Sequence, residues 1–214
     1  PASLSKDSGL LFLPLYPLGQ NHSKMGMTVT RRKDTRTPRV FMHKTADIRG
    51  GVSVKVSELG GDFLNEGAVL SAPDNGICHV VKIAVLSAEA TDTATDIKVN
   101  KGHNFKVGDF IMADEGGKAY AITSITTTEK THDTIKVKTP LGVKIEKGGF
   151  IIEAAAESAA ETSKLKYTPL SLVGTGKPIV QNSNLDTDAW LIGVTKGNPL
   201  PECVMKHLKG IINY

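Results

Sequence analysis

The chain has little of what enzymes and membrane proteins usually display. Aromatic residues make up 5% of its 214 positions, with one tryptophan and two cysteines. Cys78 and Cys203 lie far apart and neither belongs to a C-x-x-C. A disulfide scaffold is therefore not expected, synthesis in a reducing compartment is the default, and both thiols read as small buried hydrophobes. No apolar run approaches the ~20 residues of a membrane helix. The N-terminal "LLFLPLYPL" (Leu10–Leu18) is short, is broken by Pro14 and Pro17, and has no small-residue cleavage site, which argues against a signal peptide. A membrane is not an expected partner.

Catalytic and metal motifs are also missing. Cys203 and His207 lie four apart, and Cys78 and His79 are adjacent. Adjacent strand residues face opposite ways, however, which spoils a tetrahedral zinc cage. "VGTGKPI" (Val173–Ile179) has part of a phosphate loop, but Pro178 stands where Ser or Thr is required and a strand follows, so it reads as a hairpin turn. No spacing supports a Cys–His nucleophile pair. Glu153, Glu157 and Glu161 read as a solvated row rather than as an acid–base pair. The expectation is a protein without catalytic residues, metal or cofactor.

What is present is glycine (21 residues), frequent threonine and 40% hydrophobic content, a mixture that favours short strands and turns over a helical bundle. The expected fold class is mainly β: a β scaffold with an inserted small β-barrel, an extended N-terminal arm and a short C-terminal helix. Residues 1–50 form the arm, with no sustained period and a possible strand at "MTVT". Residues 51–80 are the first part of the scaffold, 81–152 the barrel, and 153–214 the second part of the scaffold with the helix.

The barrel assignment rests on short strands separated by turns at about 8–12-residue spacing. "TDIKV" and "TIKVKT" alternate, with Ile135 and Val137 on one face and Lys136 and Lys138 on the other. "KGHNFKVGD" is a tight turn in which Phe105 and Val107 form a hydrophobic staple, and "DEGGK" is a hairpin turn between "FIMA" and "AYAITSIT". "ICHVVKIAVL" (Ile77–Leu86) is a long, mostly β-branched run. "AAAESAAETS" is equally compatible with a linker or a short helix. Near the end, Asn198 is a candidate cap and Pro201 a first-turn residue for a helix reaching Lys209 and stopping at Gly210.

The net charge of +4 is unevenly placed. Residues 1–50 carry nine Lys/Arg against three Asp, a net +6, which leaves −2 for the rest. The arm thus calls for an acidic partner. It is also punctuated by apolar residues that disordered tails seldom contain. Its candidate anchors are Leu11, Phe12, Leu13 and Phe41, with Arg31, Arg32, Lys33, Arg36 and Arg39.

Across residues 52–212 the order of segments resembles that of capsid auxiliary proteins of tailed bacteriophages, the head-fibre or decoration proteins. The segments are "NEGAVLSAPDNG", "VNKGHNFKVGDFI" with "AYAITSI" and "DTIKV", "LKYTPLSLVG", and "WLIGVTKGNPLPECVMKHLKGI". The Arg-rich arm lies outside that pattern. The resemblance implies a non-enzymatic virion structural protein, commonly a homotrimer, bound to the major capsid protein on the exterior of the head. Alternatives are a tail or neck component, or a β-barrel that binds nucleic acid or glycan. The barrel segment has few stacking aromatics (Phe105, Phe110, Tyr120 and Phe150), so nucleic acid is the less favoured partner.

Overall fold

A computed structural model describes residues 39–214, all within the unit Arg36–Tyr214. In chain order the strands begin with β1 (Phe41–Asp47), β2 (Val52–Val54), β3 (Phe63–Leu64), β4 (Val69–Ser71), β5 (Ile77–Cys78) and β6 (Val80–Val81). They continue with β7 (Ile83–Val85), β8 (Asp96–Asn100), β9 (Phe110–Met112), β10 (Ala119–Thr126), β11 (His132–Val137) and β12 (Phe150–Ala154). Then come β13 (Pro169–Val173), β14 (Lys177–Pro178), β15 (Leu185–Thr187) and β16 (Ala189–Thr195), a one-turn helix α1 (Glu202–Met205), and β17 (Ile211–Asn213). The protein is mainly β.

Two larger sheets organise the body. The scaffold sheet has the order β1-β16-β13-β4-β6, with β17 running parallel to the far end of β16. The insert sheet has the order β7-β12-β9-β10-β11-β8. Its edge strands approach each other at one bridge, Leu86 with Val99, beside a bond from the Ser87 N–H to the Lys98 carbonyl at 3.0 Å. The sheet therefore curls towards a ring, but its ladder is not continuous around it. The long β10 makes this possible: it pairs with β9 through Ala119–Ala121 and with β11 through Ile122–Thr126, and a register shift after Ile122 bends it between the two.

In the insert, period-2 patterning decides the packing. Ile97 and Val99 of β8 and Ile135 and Val137 of β11 are buried, and the lysines between them face outward. They meet Leu86, Phe105, Ile111, Ile122 and Ile151 in one core. The scaffold sheet is buried on both faces instead. Val69, Val81 and Leu172 enter a core shared with Met112, Ala119 and Ile152 of the insert, whereas their neighbours Leu70, Val80 and Val173 enter a second core with Val54, Leu64 and Cys78.

Several expectations need correction. The β-branched run "ICHVVKIAVL" is divided among β5, β6 and β7, which belong to three different sheets. "VGTGKPI" is not a hairpin turn, because β14 leaves β13 to pair with β3. Its Gly174 lies under Trp190, where an added Cβ would stand 2.1 Å from the indole nitrogen. Phe105 is buried but Val107 is 61% exposed, so they form no staple.

The C-terminal helix covers Glu202–Met205 only, with Pro201 as its cap and not its first residue. Asn198 does not cap it; its side-chain amide donates to the Gly67 carbonyl at 3.0 Å. A turn through Leu208 carries the chain into β17, because Leu208 and Ile211 both reach the shared core. "AAAESAAETS" forms no helix, since Ser158 exchanges backbone hydrogen bonds with Ala119 at the start of β10. The end of the 1–50 segment, Phe41–Asp47, is paired into the scaffold as its edge strand.

Candidate functional site

Of the anchor residues named from sequence, Leu11, Phe12, Leu13, Arg31, Arg32, Lys33 and Arg36 lie outside the described residues. Arg39 and Phe41 lie inside them, at the point where the chain reaches the scaffold. Glu66 holds this point: one carboxylate oxygen accepts from the Val40 and Phe41 N–H groups at 3.1 and 2.9 Å. The Phe41 ring lies 6.4 Å from that of Trp190, and Lys44 Nζ sits 5.2 and 5.3 Å from the two centroids. Lys44 also donates to the Gly174 carbonyl and faces Asp188 at 3.8 Å. Burial raises the Asp188 pKa, but bonds from Trp190 and Thr175 and the Lys44 charge outweigh it and hold the carboxyl below its ordinary value. Arg39, Phe41, Lys44, Glu66 and the turn Gly174–Gly176 together line a hollow of about 400 Å³.

β1 is a sheet edge and carries register shifts between Phe41 and His43 and between Lys44 and Ala46. Such irregularities blunt an edge against strand addition. What the edge offers a partner is therefore side chains. Met42 on β1, Ile192 on β16 and Ile212 on β17 are 61%, 47% and 65% exposed, on strands that run side by side, and Tyr214 follows them. By register, Ile192 and Ile212, which align with Ala46 and Val194, face one side of the sheet, and Phe41 and Lys44, which align with Thr195 and Gly193, face the other; Lys196 sits over Tyr214.

Cys78, His79, Cys203 and His207 are not brought together. Cys78, on β5, is in the core with Val54 and Leu70, and Cys203 is in the core shared with the insert. Burial pushes both thiols up, Cys203 to about 11 with help from the charges of Asp114 and Glu115. Among the described residues no group of three or more His, Cys, Asp or Glu side chains is placed to hold a metal ion.

Two polar clusters escape sequence reading. In the first, Glu58 accepts from Tyr167 Oη at 2.9 Å, pairs with His79 Nδ1 at 2.9 Å and meets Lys55 at 3.0 Å. The His79 and Tyr167 rings stack at 4.2 Å. Burial pushes the Glu58 pKa up, but the bonds from His79, Lys55 and Tyr167 overcome this and bring it down to about 2. Burial and the Glu58 carboxylate raise that of Tyr167.

The second cluster lies where the insert begins. Lys82 follows β6, Asp109 precedes β9 and Glu153 is on β12. Lys82 Nζ stands 2.6 Å from Asp109 Oδ2 and 3.1 Å from Glu153 Oε1, and Lys166 reaches the same Glu153 oxygen at 2.8 Å. The signal for this cluster was the single lysine inside "VVKIAV". Glu153, by contrast, was read as part of a solvated row, yet its side chain is 1% exposed.

No protein-family model matches the sequence, and comparisons with curated proteins and with solved structures also find no match.

Proposed function

We propose that the protein is a non-enzymatic virion structural protein, an auxiliary capsid protein that binds the major capsid protein on the outside of a phage head and reinforces the shell. One observation carries the reading. The basic, apolar-punctuated N-terminal stretch leads directly onto an exposed sheet edge, where Arg39, Phe41, Lys44 and Trp190 are clustered on one face and Ile192 and Ile212 are exposed on the other. A segment laid across shell subunits loses about 1–2 kcal/mol of backbone entropy per residue, so it needs apolar anchorage as well as charge. An edge that continues the same mixture extends the footprint onto a folded body. Closure of three copies around an axis would multiply that grip, because each further attachment becomes intramolecular. The resemblance of the segment order to that of head-fibre proteins supports the same role.

The test is co-sedimentation with shells stripped of auxiliary proteins. The full chain is expected to bind, and a chain lacking residues 1–38 is expected to stay folded, because β1 is kept, yet to bind far more weakly. Replacing Arg31, Arg32, Arg36 and Arg39 with Ala should weaken binding and reduce its salt dependence. A full chain that fails to bind shells overturns the reading. Undiminished binding without residues 1–38 moves the whole docking surface onto the β1–β16–β17 face.

A further inference from the structure

Lysine is among the residues least often fully buried, yet the Lys82 side chain is 1% exposed within the run "VVKIAV". Its partners are buried too: Glu153 is 1% and Asp109 13% exposed. Removing such a pair from water costs several kcal/mol per ion, and apolar residues of the same volume often serve stability as well. Stability alone is thus a weak reason for the arrangement.

The topology gives a chemical one. β12 lies between β7 and β9, so Glu153 stands between an amine at the start of β7 and a carboxyl at the start of β9. The Glu153 N–H donates to the Lys82 carbonyl at 3.0 Å, which fixes the two residues side by side. Glu153 Oε1 is held by both lysines, while Oε2 is buried without a hydrogen-bond partner. Asp109 Oδ2 accepts from the Lys106 N–H at 2.7 Å as well as from Lys82.

We propose that Lys82 Nζ and Asp109 Cγ condense into an intramolecular isopeptide bond, with Glu153 carrying the protons. Glu153 takes one proton from the Lys82 ammonium at Oε1, the oxygen that Lys82 contacts at 3.1 Å. Glu153 passes that proton to Asp109 Oδ1, and the amine lone pair attacks Cγ of the now neutral carboxyl, forming the C–N bond. The Lys106 N–H stabilises the negative charge that develops on Oδ2. A second proton then leaves the nitrogen by way of the again ionised Glu153 for Oδ1, and the C–O bond breaks to release water. The ammonium and carboxylate thus become one amide and one water, with no oxidant, reductant or cofactor. The folded chain supplies the proximity, and burial keeps bulk water from the carbonyl. This inference is independent of the proposed virion role.

The test is the intact mass of the full chain after denaturation. The wild type is expected to be one water lighter than its sequence mass. Digestion should yield a branched peptide joining the Lys82 segment to the Asp109 segment, with trypsin failing to cut after Lys82. Asp109→Ala and Glu153→Gln are expected to show the full sequence mass. A wild-type chain at its full sequence mass overturns the proposal whether or not the variants fold. A water loss mapped to another pair, such as Lys166 with Glu153, overturns the assignment. A bond that forms completely in Glu153→Gln removes Glu153 from the chemistry.

Discussion

Along β8 and β11 of the insert, residues of one parity enter a single core; along β4, β6 and β13 of the scaffold, neighbouring residues enter two different cores. The insert can therefore satisfy most of its apolar side chains internally. The scaffold cannot, because Val69, Val81 and Leu172 depend on Met112, Ala119 and Ile152 from the other sheet. Dependence between the two regions is expected to run one way.

The largest effect tests that asymmetry directly. A chain in which residues 83–154 are replaced by a short flexible linker should show no cooperative unfolding, since one face of the scaffold sheet loses its cover. The reciprocal fragment, residues 81–156, should unfold cooperatively but self-associate through the uncovered Met112, Ala119 and Ile152. Circular dichroism melts and sedimentation measure both. A scaffold that melts sharply without the insert breaks the comparison.

Single core substitutions come next. Leu172→Ala and Ile135→Ala each remove a side chain with 0% exposure, at a cost of about 2–5 kcal/mol. Their reach should differ. Leu172→Ala should lower hydrogen-exchange protection in β4, β13 and β16 while β8 and β11 stay protected. Ile135→Ala should lower protection in both sheets, because the scaffold leans on the insert. Equal, uniform losses from both substitutions would mean a single cooperative unit.

The same contrast explains what was legible in the sequence. The alternation in "TDIKV" and "TIKVKT" identified buried and exposed faces residue by residue, because those strands have one wet face. "ICHVVKIAVL" shows only as a β-branched run, because residues serving two cores leave no alternation, and nothing local marks where the chain passes from sheet to sheet. The helix was extended to Lys209 because propensity does not register the pull of Leu208 and Ile211 into the shared core. Val107 was paired with Phe105 by spacing alone. The Glu58 cluster was invisible for another reason: Tyr167 is 109 residues away from Glu58, and only the fold joins them. Of the anchor residues, Arg39 and Phe41 are placed at the scaffold edge, a position that no local pattern could have assigned.

A smaller effect separates the two regions by pH. Glu58 in the scaffold has its folded pKa lowered from the ordinary 4.5 to about 2. Its contribution is therefore full above the unfolded value and is lost as pH falls from about 4.5 through about 2. After allowance for solvent screening this is worth on the order of 2 kcal/mol. Glu146 in the insert is also held low, by Lys144, but it is fully exposed. Glu58→Gln should flatten the acid limb of the stability profile measured by urea unfolding, and Glu146→Gln should leave it unchanged. The idea fails if Glu58→Gln follows the wild-type profile below pH 4.5.

The smallest expected effect lies in the turn before β9. Phe105 is 2% exposed and belongs to the insert core, whereas Val107, two residues on, is 61% exposed. The turn between them is held by its backbone: Asp109 N–H donates to the Lys106 carbonyl at 3.1 Å, and the Lys106 N–H donates to Asp109 Oδ2 at 2.7 Å. Gly108, at φ +93°, supplies the left-handed residue that closes it. None of these contacts uses the valine side chain. Val107→Ser should therefore change stability by no more than about 0.5 kcal/mol, as exposed substitutions usually do, while Phe105→Ala should cost about 3–5 kcal/mol. Equilibrium denaturation of the two variants measures both. If Val107→Ser destabilises as strongly as Phe105→Ala, the turn is held by a side-chain contact after all, and the staple expected from sequence exists in solution.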